Sequence, residues 1–330
     1  MIFLYLGYIN DMSNLSEKTL TTYKSTVNSI HKRIGLGPVA PNDSGAWIEK
    51  NLSAIMKLIN ETESKQTAKN RCVIMKIWAE MFNLPAKVVG VFDKKMYELV
   101  DEVNGAYATN KMNEKVADNW KSIDEIREKV EVLKNKLPEP KYIDTYREYI
   151  QLMRYLCLLI HTHLPLRNDL ADARLMEEMP DDDDVDSNSN YIIIDRRRNK
   201  GQIHLLAYKT RKEYGEKILE IPTDVVREIV KYWPVIKHFS YDDNAWFITK
   251  DGVSAPISRV SYTKMLNSAF AGDGVKVSST QIRRAVVTEL YAPDPEEFKK
   301  KQQLAEVMGH APATAALIYA KVVPKKEKGV

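Results

Sequence analysis

A mainly α fold with one small antiparallel β-sheet, divided into two domains, is what the sequence predicts. Three observations carry that expectation. Apolar residues recur at helical spacing through most of the first 105 positions, strand-like runs are confined to 191–221, and 330 residues suffice for more than one core.

The clearest helical face is Leu20, Tyr23, Val27, Ile30 and Ile34. Ser16 is a good N-cap before it, Leu15 and Leu20 sit where a hydrophobic staple closes, and Gly35 sits where helices commonly stop. Further helices are expected at 45–60, 64–82 and 93–103, so the first 110 residues read as an all-helical domain. Between 105 and 117 no apolar face is sustained, which places a linker at 111–119 and opens a second domain at 120–330. There, Ser122 and Glu125 form a capping-box pattern, and Ile126, Val130 and Leu133 continue a helix that Pro138 ends. A longer helix is expected at 143–163. The acidic stretch 181–184 and the polar run 186–190 read as a solvated loop, not a metal site. Strands at 191–195, 202–208 and 217–221 follow as hairpins, and helices resume at 224–232, 260–271, 279–290, 302–308 and 313–321.

Composition narrows the function class. The longest apolar stretch, 156–160, is far short of the roughly 20 residues of a membrane span, and 1–8 is too short for a signal peptide, so an intracellular protein with no membrane partner is expected. That compartment is a prokaryotic cytoplasm, a nucleus or a viral replication site. Cys72 and Cys157 lie far apart among apolar residues and read as reduced core thiols. The net charge is +4, but seven acids and no bases fall between Glu177 and Asp186, so the rest of the chain is more basic than the total shows. His161 and His163 are two apart and fall on different helical faces, which argues against a helical metal pair. No cofactor and no metal are expected.

Four separated features invite a joint reading: Arg167 in Leu164-Pro165-Leu166-Arg167-Asn168-Asp169-Leu170, Lys209 at the hairpin, Arg283 in Gln281-Ile282-Arg283-Arg284, and Gly309-His310 followed by Tyr319. Planar guanidinium groups suit the extra negative charge that a phosphodiester gathers while its phosphorus is transferred between alcohols. His310 can donate to the same phosphate. A lysine on a hairpin turn is placed to donate a proton to a bound group, with Lys212 as the alternative to Lys209.

In this order the residues resemble the catalytic set of the tyrosine recombinases, or phage-type integrases. The likeness extends over most of the chain: 1–110 resembles the family's core-binding, DNA-binding domain and 120–330 its α+β catalytic domain. The resemblance implies a Tyr319 nucleophile, a covalent 3′-phosphotyrosyl intermediate, and double-stranded DNA carrying specific recombination sites as substrate. It further implies a two-domain clamp around the duplex and a homo-tetramer on paired sites, with a monomer or dimer when free. Two positions depart from the family pattern. Thr280 stands three before Arg283, where the family has a histidine, and Asp169 comes two after Arg167, where the family's acid comes three after. A topoisomerase-like or resolvase-like use of the same chemistry, and a catalytically weakened DNA-binding relative, are the competing expectations.

Overall fold

The structure is a computed structural model, described at residues 17–40, 43–108, 112, 114–240 and 246–291. The chain divides into two compact units, the first ending at Met112.

The first unit is helical. It comprises α1 (Glu17–Arg33), α2 (Ala46–Lys50), α3 (Leu52–Asn60), α4 (Lys65–Met81) and α5 (Ala86–Ala108). The expected helix at 45–60 is two helices broken at Asn51, whose side-chain amide donates to the Trp47 carbonyl at 2.8 Å. Gly45 precedes α2 with φ of 72°, and a Cβ there would collide with the Phe82 ring, so both backbone sign and space require glycine. α5 starts earlier than the expected 93: Val88, Phe92, Met96, Leu99 and Val103 form one buried stripe at spacings of four and three. Ser16 and Leu15 lie outside the described residues.

The second unit is mainly helical around a small sheet. Its elements begin with α6 (Glu114–Ala117), α7 (Ile123–Asn135) and α8 (Tyr146–His163). Ser122 and Glu125 close the capping box at α7, and Thr145 with Glu148 closes a second one at α8. α8 is the hub. Ten of its residues from Tyr149 to Thr162 are buried, because α7, α10 (Thr223–Lys231), α11 (Trp233–Ser240), α12 (Arg259–Ala269) and α13 (Ser279–Tyr291) all pack on it. A helix apolar on nearly every side is stable only at such a centre.

Strands β1 (Ala173–Met176), β2 (Asn190–Asp195), β3 (Lys200–Leu205) and β4 (Lys217–Ile221) form one sheet in chain order, with the short α9 (Arg211–Tyr214) between β3 and β4. β2–β3 and β3–β4 are antiparallel, as expected, while β1 adds a parallel edge, Arg174 opposite Tyr191. A second, two-stranded sheet joins β5 (Thr249–Lys250) to β6 (Val253–Pro256). β1 escapes sequence reading because four residues with Arg174 in the middle show no run of alternation. α10 lies against the sheet where β3 carries Gly201, and a Cβ at Gly201 would stand 2.7 Å from Ile194 and 2.9 Å from Val226. Close helix-to-sheet approach explains glycine inside this strand. The predicted helices at 302–308 and 313–321 lie outside the described residues. Among those described, no helix is long and apolar enough to cross a membrane.

Candidate active site

The segment leaving α8 carries the first arginine. Leu164 caps the helix, Leu166 is buried, and Asn168–Leu170 winds a single 3-10 turn that fixes Arg167 just before it. Asp169, 4% exposed, accepts the backbone N–H of Arg167 at 3.2 Å. Burial lifts its carboxyl above the usual aspartate range, against the opposing pull of Arg259 and then of Arg167 itself. The Asp169 carboxyl also acts on Arg283, whose charge it favours.

Arg283 arrives from α13, one turn after Ser279. Arg167, Asp169 and Arg283 line one cavity of about 280 Å³, together with Tyr208 and Lys217 from the β3–β4 region. Burial first, and then the like charge of Arg167, holds the Arg283 guanidinium below the ordinary arginine value. Two guanidinium groups that repel each other across a partly desolvated cavity favour an anion between them, because the attraction is stronger there than in bulk water.

The lysines fall in two places. Lys209 is exposed on the turn after β3 and Lys212 is exposed on α9. The lysine that lines the cavity is Lys217, the first residue of β4, half-buried with its Nζ 4.9 Å from the Tyr214 ring centroid and 5.5 Å from that of Tyr208. Its place was legible: 217–221 is a predicted strand, and period two puts Lys217, Leu219 and Ile221 on one face. Thr280 is exposed, whereas its neighbour Ser279 is buried and faces the Arg167 segment. His310 and Tyr319 lie outside the described residues.

Three side chains without a sequence signal hold these pieces. Asn190, fully buried, accepts the backbone N–H groups of Leu206 and Ala207 at 3.0 and 2.8 Å and donates to the Asp169 carbonyl at 3.0 Å. It therefore ties the start of the β3–β4 loop to the Arg167 turn. Arg259 donates to Asp172 at 3.3 and 3.4 Å and to the Ala207 carbonyl at 3.2 Å, adding α12 to the same junction. Asn168 donates to the Arg259 carbonyl at 3.2 Å and to Thr263 Oγ1 at 2.8 Å, while its own Oδ1 accepts the Ser279 hydroxyl at 2.6 Å.

His161 on α8, within the field of Arg283, is fully buried, with Nε2 at 2.7 Å from the Tyr262 hydroxyl. Burial, aided by the charge of Arg283, pushes its pKa from 6.5 down to about 4. The ring is neutral when folded and takes a proton near 6.5 when unfolded, so its contribution to stability is complete above that pH and is lost as pH falls from 6.5 toward 4. The shift is on the order of 3 kcal/mol. Thermal unfolding of wild type is expected to lose midpoint steeply over that window, and His161→Gln to flatten the dependence; identical pH profiles would show that His161 does not titrate in this way.

Among the described residues, no group of three or more His, Cys, Asp or Glu side chains is placed to hold a metal ion. Cys72 and Cys157 are free and buried, and burial raises their thiols to about 11 and about 12.

No family model matches the chain, and no curated protein matches it. Among solved structures, the crystal structure of XerA recombinase is similar at 15% sequence identity over 94% of this chain and 90% of that chain, with a TM-score of 0.34. The functional reading rests on the chain's own residues.

Proposed function

We propose that this chain cuts and rejoins DNA strands by transesterification. The Tyr319 phenol gives its proton to solvent water and its oxygen bonds to a backbone phosphorus; the bond from phosphorus to the 5′ oxygen breaks, and that oxygen takes a proton from a lysine, which solvent reprotonates. The 3′-phosphotyrosyl link keeps the bond energy, and reversal reseals the strand without a cofactor. One observation carries the reading: Arg167 and Arg283, distant in sequence, line a single cavity with Lys217, as clamping a phosphate requires. On this reading the second unit is catalytic, the first binds duplex DNA, and a homo-tetramer on paired specific sites exchanges strands. The test is incubation with a nicked duplex whose short 5′ fragment diffuses away after cleavage. A covalent protein–DNA adduct is expected, and its absence with duplex binding intact would favour a DNA-binding relative without catalysis, a reading that the exposed Thr280 keeps in view. Relaxation of supercoiled DNA by a monomer would favour the topoisomerase-like variant.

Lys209 holds the donor role by its place on the turn, Lys217 by its place in the cavity wall, and the geometry favours Lys217. Losing a general acid costs about 10²–10⁴ in rate, yet a sulfur in place of the 5′ oxygen leaves without a proton. Lys217→Met is therefore expected to be slow on ordinary DNA and restored on the sulfur-bridged substrate. Restoration of Lys209→Met alone would return the role to Lys209.

A further inference from the structure

We propose that Asn168 and Ser279 form a positioning pair that sets Arg283 against Arg167, an inference that rests on the function proposed above. Asn168 directly follows Arg167 in the chain, and Ser279 precedes Arg283 by one helical turn, on the same face of α13. The 2.6 Å hydrogen bond from Ser279 Oγ to Asn168 Oδ1 thus joins the two arginine-bearing segments directly. Both ends of that connection are fixed. The Asn168 amide spends its two N–H groups on α12, at the Arg259 carbonyl and Thr263 Oγ1, so the carbonyl oxygen has one orientation left and it meets Ser279. Ser279 is 5% exposed, so no water competes freely for its hydroxyl.

The pair does not touch the cavity: neither residue lines it, whereas Arg167 and Arg283 do. It acts through the arginines, by fixing how far and at what rotation α13 meets the Arg167 turn. Bidentate contact by two planar groups on one phosphate tolerates little displacement, and misplacement by about 1 Å can cost about 10²-fold in rate. Asn168→Ala and Ser279→Ala are each expected to slow adduct formation by about 10- to 100-fold, with Ser279→Thr, which keeps the hydroxyl, close to wild type.

A double-mutant cycle with Arg283→Ala separates positioning from general damage. If the pair works through Arg283, Asn168→Ala slows wild type but adds nothing in the Arg283→Ala background; a loss of equal size in both backgrounds overturns the proposal. The same cycle read in binding of inorganic phosphate, followed by ³¹P line broadening, keeps the inference separate from the function on which it rests. Should wild type form no adduct, the strand-cutting reading fails, while weakened phosphate binding in Asn168→Ala that vanishes in the Arg283→Ala background still supports the pair. Absence of phosphate binding by wild type overturns the pair as well.

Discussion

Tyr319→Phe is expected to bind duplex DNA as wild type does and to form no covalent adduct at all. Removing one oxygen deletes the nucleophile and leaves the aromatic ring, so no other substitution separates chemistry from packing as cleanly. The expectation is absolute because the phenol oxygen is the only atom that the side chain brings to the phosphorus, and phenylalanine has none. It also sharpens the question of activation. Thr280, which stands where the resembled family places a histidine, is exposed, and a threonine accepts no proton at neutral pH. On the proposed function, Arg167 and Arg283, which line one cavity, supply a cationic field that favours the phenolate, and His310 supplies a further donor. Gel-resolved adduct formation with a nicked duplex reads the outcome directly.

The second large effect is at Arg283. Arg283→Ala is expected to lower the rate of adduct formation by about 10²–10³, as loss of one preorganised donor to a developing charge does elsewhere. Arg283→Lys recovers part of that rate, since a point charge replaces a planar fork that binds two oxygens. Arg167→Ala should cost a similar factor, and the double variant less than the product, because the two groups serve one phosphate. Single-turnover rates on a nicked duplex, with binding measured separately, provide the check. Rates unchanged in both single variants would remove the phosphate clamp from the account.

Which parts of this were readable in advance follows from the range of the interactions involved. The capping boxes are local in sequence, so Ser122 and Glu125 announced α7 before any coordinate. β4 was legible for the same reason, and its alternation already contained the placement of Lys217 beside Leu219. α11 is hidden in the sequence because it follows α10 almost without interruption and carries Pro234 in its first turn, where proline is tolerated but looks like a breaker. α5 was cut short because Asp93 resembles a helix start, while Pro85 is the actual boundary and the buried stripe begins at Val88. At the site, Arg167 and Arg283 are singled out in the sequence by order and spacing within a resemblance. Asn168, Asn190 and Arg259 are not, since each connects segments far apart in the chain and an isolated asparagine reads as a turn residue. His161 was weighed only as a metal ligand and is instead a buried neutral ring bonded to Tyr262.

The site now has two kinds of residue. Arg167, Arg283 and Lys217 line the cavity, and a surrounding network of amide, hydroxyl and guanidinium groups fixes the segments that carry them. Preorganisation of this sort is what allows fixed charges to act on a transition state without reorganising during the reaction.

Digestion of the covalent adduct and sequencing of the DNA-bearing peptide by mass spectrometry test the central claim most directly. One modified peptide is expected, carrying a nucleotide 3′-phosphate on Tyr319. A modification on any other residue, or a chain that breaks the strand while remaining unmodified, would contradict it.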